Sequence, residues 1–315
     1  MAGDAFMDAR TPDRITLARL RLEARDALEL VLLPGLAALL PWRWCFALFR
    51  QLARCAWLYR EPCARALAQA QAHGLVDDAG RWLRERRLVT LVDHADHYLA
   101  LARRRGDAWW PRHVQADGQW AVAGEGALLV TFHWGCGLWA QRHGRAQGLW
   151  PHTLVASPRG LQGRWVLRRY IEARLRTLQW AEGRPVIHVP GPMRAVHRAW
   201  AAREQVVLVI DVPADQAGET APVQVLGRTI GVPAGLVRLA VRQRLPVTLY
   251  TLGLDVRTGE RQLRLEPLGV GDSAEVLLAR IFERFEALLR ERPAHWHLWS
   301  EAERFFAPAQ PEVRC

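Results

Sequence analysis

The chain reads as an α/β protein: a mixed, largely parallel sheet with helices on both faces, preceded by a helical membrane-contacting N-terminal region. Three observations carry this. After Pro111 short apolar, β-favouring runs alternate with helical stretches. One of these runs, residues 127–132, is near-continuously apolar, interrupted only by Thr131, rather than alternating, as suits an interior parallel strand buried on both faces. Before Pro111 the periodicity is helical and contains an uncharged apolar run that stops at Trp42-Arg43-Trp44.

At 315 residues, half of them apolar, the chain can bury a sizeable core as one large domain or two smaller ones. No shift in composition marks a clean boundary. The net charge of +11 comes entirely from arginine, since lysine is absent, as is asparagine. Both omissions match a GC-rich coding sequence. A basic balance favours an anionic partner, either nucleic acid or an anionic membrane surface. Dispersed arginines and the lack of a reader motif argue against nucleic acid. The fifteen tryptophans suit the lipid headgroup level, or else fill a large core. The five cysteines, Cys45, Cys55, Cys63, Cys136 and Cys315, form no CxxC pair and no zinc spacing, which argues for a reducing compartment and against a metal. Residues 1–25 are charged throughout and lack the apolar core of a cleavable signal.

In chain order, residues 1–12 read as a flexible tail and 13–110 as the helical region. Leu17, Leu20, Ala24, Ala27 and Leu28 give residues 13–29 an apolar stripe, and Arg14, Arg19, Arg21 and Arg25 make that helix basic. A membrane-associated segment follows at about 28–50. Its apolar run 30–41 is shorter than the ~20 residues a span needs, and Pro34 and Pro41 interrupt it. It is expected to lie in the interface or form a hydrophobic hairpin with 45–49, against the plainer alternative of a buried helix pair. Residues 50–105 read as helical. His94 and His97 beside Asp93 and Asp96 are taken as a solvated or interfacial face rather than metal ligands. Residues 111–306 form the α/β part, with strands near 120–123, 127–132, 153–156, 186–189, 206–210, 223–226, 247–252 and 262–266. Helices are expected near 138–147, 162–178, 193–202, 234–242 and 273–290, and residues 307–315 are a tail.

The chemistry gathers where strand 127–132 ends. His133 sits just past its carboxyl edge, where ligands bind in open α/β sheets, and an imidazole there is a candidate general base. Gly135 and Gly137 let the backbone take positive φ or approach a substrate closely. The buried run 206–210 delivers Asp211 to the same edge, either to orient the imidazole or as a turn or capping aspartate, with Asp215 shortly after. Arg159, after strand 153–156, and Arg164 or Arg168 on the next helix are candidates to hold a phosphate or oxyanion. Cys136 is a further candidate, as a substrate contact or an acyl-accepting nucleophile.

Taken in order, 129–139 with His133, Ser157-Pro158-Arg159, the helix and strand leading to Asp211, the stretch 225–240 with its glycine-bearing helix, and the Trp-rich Pro293-Ala294-His295-Trp296-His297-Leu298-Trp299 form a set. This set resembles the bacterial lysophospholipid acyltransferase superfamily, specifically its late lipid A acyltransferase (lauroyl/myristoyl) branch, from the apolar segment to about Phe306. The resemblance implies an acyltransferase of lipid A biosynthesis type. It would move a fatty acyl chain from acyl carrier protein or coenzyme A to an amphiphilic glycolipid acceptor at the cytoplasmic face of the inner membrane, with no cofactor beyond the acyl thioester. His133 would be its base and Arg159 its substrate-binding arginine, while Arg164, Gly135, Cys136 and Asp215 remain the further substrate-contact candidates read from the residues themselves. One departure stands out. The family pairs its histidine with an Asp or Glu five positions on, and here that position is Leu138. Either Asp211 supplies the charge, or His133 works alone, or the chain is a catalytically degenerate member that binds lipid or acyl carrier without transfer.

Overall fold

The structure, a computed structural model, describes residues 16–120, 123–156, 163–189 and 193–307, with backbone alone at 103–106. It begins with α1 (Leu17–Asp26), started by the Thr16 hydroxyl accepting the Arg19 N–H at 3.3 Å. A π-helical turn, Ala27–Leu32, continues it into α2 (Leu33–Leu39), followed by α3 (Trp42–Leu52). The two prolines do not break helices here. Pro34 lies inside the continuous helix, just past the π-helical turn, where the Leu30 and Glu29 carbonyls accept instead from the Tyr98 and Tyr59 hydroxyls at 2.7 and 2.8 Å, and Pro41 caps α3, where a missing N–H costs nothing. Next come α4 (Arg60–Ala72), α5 (Ala79–Leu101), capped by Asp78, and α6 (Arg103–His113), which runs through Pro111 instead of stopping at it.

The segment expected to meet the membrane divides by face. Trp42, Cys45, Phe46 and Phe49 are buried in the core, whereas Leu39, Trp44 and Leu48 face outward. Among the described residues no helix is long and apolar enough to cross a membrane. His94 and His97 do not lie on a solvated face either. His97 is buried with its Nδ1 2.9 Å from the Thr177 hydroxyl, and His94 Nδ1 lies 2.7 Å from the Tyr170 hydroxyl.

The α/β part runs β1 (Val114–Asp117), β2 (Ala127–Thr131), α7 (Leu138–Ala146), β3 (Pro151–Ala156), α8 (Trp165–Glu182), β4 (Ile187–Val189), α9 (Arg194–Ala201) and β5 (Gln205–Val209). It continues with β6 (Thr220–Val225), β7 (Arg228–Pro233), α10 (Gly235–Arg242), β8 (Val247–Leu254), β9 (Arg261–Gly269), α11 (Ala274–Glu291), two 3₁₀ turns (Pro293–His295 and His297–Glu301) and α12 (Ala302–Phe305). Seven strands form one sheet in the order β1-β9-β8-β2-β5-β3-β4, parallel except for the β8–β9 pair. β2 sits where the connections diverge: β3, β4 and β5 lie to one side and β8 to the other, the position beyond whose carboxyl end open α/β sheets bind ligands.

Alternation along β2 separates two apolar layers. Leu128, Val130 and Phe132 face the layer built with α10, α11 and the C-terminal turns, while Leu129 faces the layer built with α2 to α7. Burying each such side chain contributes about 1.5–3 kcal/mol. The second layer joins residues of the N-terminal helices to β2, β5, β8 and β9, so the helical region and the sheet share a core across residue 110. Arg261 of β9 reinforces that joint. It is fully buried, bonded to Asp96 of α5, and its guanidinium lies 4.2 Å and 4.7 Å from the ring centroids of Trp42 and Trp109.

Two strand expectations need correction. Trp120 is not in a strand; its indole packs on Tyr250 and bonds His143 Nδ1 at 2.8 Å, and the strand of that region is β1 instead. Residues 121 and 122 lie outside the described residues. β7 was not among the expected strands, because Gly231 and Pro233 break its β-favouring run. It pairs antiparallel with β6 through a two-residue turn, Leu226-Gly227, with positive φ at both positions (50° and 72°), the geometry that suits a tight hairpin.

Candidate active site

β2 and β5 are parallel neighbours, pairing Ala127 with Gln205 and Thr131 with Val209. The ladder extends one step further, with Ile210 N–H donating to the Thr131 carbonyl at 2.9 Å. The same register carried two residues beyond Thr131 sets Asp211 level with His133. Strand pairing alone therefore delivers an imidazole and a carboxylate, 78 positions apart in sequence, to one point at the sheet edge.

Asp211 is fully buried and surrounded by donors. The His133 backbone N–H reaches its two oxygens at 3.0 and 2.9 Å, His133 Nδ1 lies 3.0 Å from Oδ1, and the Trp296 indole N–H donates to Oδ2 at 2.7 Å. An ionised carboxylate only accepts, so Nδ1 carries the proton and Nε2 is left with its lone pair free. The His133 side chain is 40% exposed, which opens the ring to a reactant. Burial works against the imidazolium, but the Asp211 charge and hydrogen bond outweigh it and hold the His133 pKa above its ordinary value. Orientation, tautomer and raised basicity are what a general base needs.

The C-terminal segment closes over this edge. Trp134 and Trp296 form an antiparallel bridge, Gly135 N–H donates to the His295 carbonyl at 3.0 Å, and His297 N–H donates to the His133 carbonyl at 2.8 Å. His297 Nε2 donates to the Gly135 carbonyl at 2.7 Å, and burial pushes its pKa down to about 4, so it is a neutral scaffold group. Arg86 of α5, buried, holds the segment from behind through the carbonyls of Ala294 (3.2 Å), Trp296 (2.7 Å) and His297 (3.1 Å). Gly135 has φ +60°, and a Cβ there would collide with the Leu252 carbonyl oxygen.

Behind His133, Asp93 of α5 adds further negative charge. Arg174 of α8 grips that carboxylate through both oxygens at 2.7 and 2.8 Å, and also bonds the Tyr170 hydroxyl at 3.0 Å. Burial would raise the Asp93 pKa, yet the Arg174 charge overcomes it and the carboxyl falls to about 2.

The other expected site residues are placed differently. Arg164 is bound through two nitrogens to the buried carboxylate of Asp26, at 2.6–3.1 Å, and so ties α8 to α1 rather than awaiting an anion. Glu23 of α1 caps the start of α8 by accepting the Trp165 and Val166 N–H groups at 2.6 and 2.8 Å. Asp215 is exposed and paired with Arg304 at 2.7 Å, apart from the dyad. Cys136 is fully buried in the apolar layer of the α2–α7 face, and burial pushes its thiol well above the ordinary range, which removes it as a nucleophile and as a surface contact. Leu138, where the resemblance implies an acid, opens α7 and packs into that same layer. Arg159 lies outside the described residues. Among the described residues no group of three or more His, Cys, Asp or Glu side chains could hold a metal ion. A broad cleft between the β6–β7 hairpin and α11, lined by Val223, Thr229, Ala279, Glu283 and Arg290, is separate from the dyad.

Trp296, His297 and Arg86 are the site residues that sequence reasoning missed. The Trp-rich segment 293–299 stands out in the sequence, but nothing in it says that an indole N–H faces Asp211. Compared with protein-family models the chain matches none, and a comparison with curated proteins gives no significant match.

Proposed function

We propose that the chain is an acyltransferase that moves a fatty acyl group from an acyl carrier protein or coenzyme A thioester to a hydroxyl or amine of an amphiphilic glycolipid at the inner membrane. The observation that carries this reading is the His133–Asp211 dyad at the carboxyl edge of a parallel sheet. His133 Nε2 takes the proton from the acceptor as its oxygen or nitrogen attacks the thioester carbonyl, and Asp211 stabilises the imidazolium that forms. The thiol of the carrier or of coenzyme A leaves, taking a proton back, and the free imidazole is restored. Asp211 thus stands in for the acid that the related pattern would place at Leu138.

The N-terminal surface supports a lipid acceptor. Residues 30–60 contain no carboxylate and include Arg43, Arg50, Arg54 and Arg60. Their outward side chains include Leu32 (62% exposed), Leu39 (70%), Trp44 (61%) and Trp57 (48%). Apolar and indole groups interspersed with arginine suit the headgroup layer of an anionic membrane.

The alternative is a member of the same fold that binds lipid or acyl carrier without transfer, and the observation favouring it is the apolar, packed Leu138. Purified protein incubated with labelled acyl thioester and inner-membrane lipid vesicles separates the two. Acylated lipid detected by mass spectrometry supports transfer, while vesicle or carrier binding with no product supports the alternative.

A further inference from the structure

Asp211 accepts the His133 backbone N–H on both oxygens, and each oxygen also has one side-chain donor of its own. Oδ1 takes the imidazole Nδ1–H, and Oδ2 takes the Trp296 indole N–H at 2.7 Å, the shortest of its contacts. Trp296 is itself fully buried and immobilised. Its carbonyl accepts from Arg86, its backbone bridges Trp134, and its ring packs edge-on against Phe285 and Trp299 at 5.4 and 4.8 Å. We infer that Trp296 is the positioning residue of the dyad: its indole N–H fixes Oδ2, sets the plane of the carboxylate, and shares its charge so that Oδ1 alone serves the imidazole. This rests on the reading of His133 as a base, but its physical content is testable without turnover.

The charged and titratable groups around His133 are Asp211 beyond β5, Asp93 of α5 with Arg174 of α8 bound to it, and His297 of the C-terminal turn. Trp296→Phe leaves all of these in place and keeps most of the ring. It removes one donor from Asp211, whose undivided negative charge then acts more strongly on the imidazolium, while the His133 backbone N–H still anchors both oxygens. The His133 pKa is therefore expected to rise, by about half a unit or more. At neutral pH less free base remains, so kcat falls and the acid limb of the profile moves alkaline, with KM unchanged.

The experiment is an NMR titration of histidine-labelled full-length protein, with the His133 resonance assigned by its loss in His133→Gln, for wild type and Trp296→Phe. Trp299→Phe is the packing control, because Trp299 sits in the same aromatic cluster but donates its indole N–H to the Pro293 carbonyl. An upward shift in Trp296→Phe alone supports the inference. An unchanged or lowered His133 pKa, or an equal shift in both variants, overturns it. Should Trp296→Phe not fold, the wild-type indole resonance of Trp296 is followed instead. It is expected to move on Asp211→Asn, and no movement overturns the inference. A chain with no acyl transfer but with the expected titrations would refute the proposed reaction and leave this role of Trp296 standing.

Discussion

Replacing Asp211 by Asn keeps shape and removes charge, and its consequences follow from the donors around that carboxylate. The His133 backbone N–H, the His133 ring and the Trp296 indole all present hydrogens to it. An Asn amide offers one acceptor and turns an NH₂ group toward at least one of those donors. A buried donor left without a partner costs about 1–3 kcal/mol, so unfolding in urea should register a loss of that order. Catalytically the loss should be larger. The amide NH₂ can hold the ring with its proton on Nε2, the wrong tautomer for a base, and proton transfer by a positioned group is worth about 10²–10⁴-fold. The pH dependence gives a third readout. The folded-state pKa of His133 is raised above its unfolded value, so the pair's stability is fully present below the unfolded pKa and is lost as pH rises through the folded one. That decrement, above about pH 6.5 by the ordinary histidine value, should be present in wild type and vanish in Asp211→Asn. Acyl transfer, urea unfolding and the pH series on one preparation test all three. Wild-type turnover together with an unaltered pH dependence would refute the reasoning.

Other consequences are as direct. Arg261→Met strands the buried Asp96 carboxylate and should destabilise by about 3–5 kcal/mol in urea unfolding, whereas Arg261→Met with Asp96→Leu should recover much of it. Gly135→Ala forces a Cβ against the Leu252 carbonyl and displaces the chain beside His133, so activity should fall at least about tenfold with a stability loss of roughly 1–3 kcal/mol. Glu182, buried against Thr153, has its carboxyl pKa pushed up by burial to about 8. The folded state then keeps a proton that the unfolded chain releases, and stability should decline from the ordinary Glu range up to about pH 8; Glu182→Gln should flatten that slope in thermal melts. Trp44→Ser with Trp57→Ser should weaken sedimentation with anionic vesicles by roughly tenfold or more, since each indole loses an apolar contact worth more than a kcal/mol.

How much of this was legible in the sequence depended on whether the signal was local. β2, β5, β8 and α7 to α11 declare themselves by apolar runs and periodicity, and the structure places them close to the expected bounds. The pairing of His133 with Asp211 was expected from two strands ending at one edge, and parallel register supplied the rest. What pattern could not supply was the partner of each polar side chain. Arg164 read as a free cation because Asp26, its carboxylate, lies 138 positions away, and the charge cluster at Asp93 and His94 read as solvated because α8 covers it from outside the local window. The apolar segment at 28–50 is ambiguous for a physical reason: one face packs on α5 and the sheet while the other keeps Leu32, Leu39, Trp44 and Leu48 outward, and composition averages the two. Trp296 escaped because an indole is chosen here for one N–H, which no hydrophobic pattern records.

The measurement closest to the central claim is acyl transfer from a labelled thioester to vesicle-borne lipid, comparing wild type with His133→Gln. The dyad account expects acylated lipid from wild type and a loss of about 10²–10⁴-fold in the variant, with a cooperative urea transition and vesicle binding retained. Equal product from both proteins would contradict it.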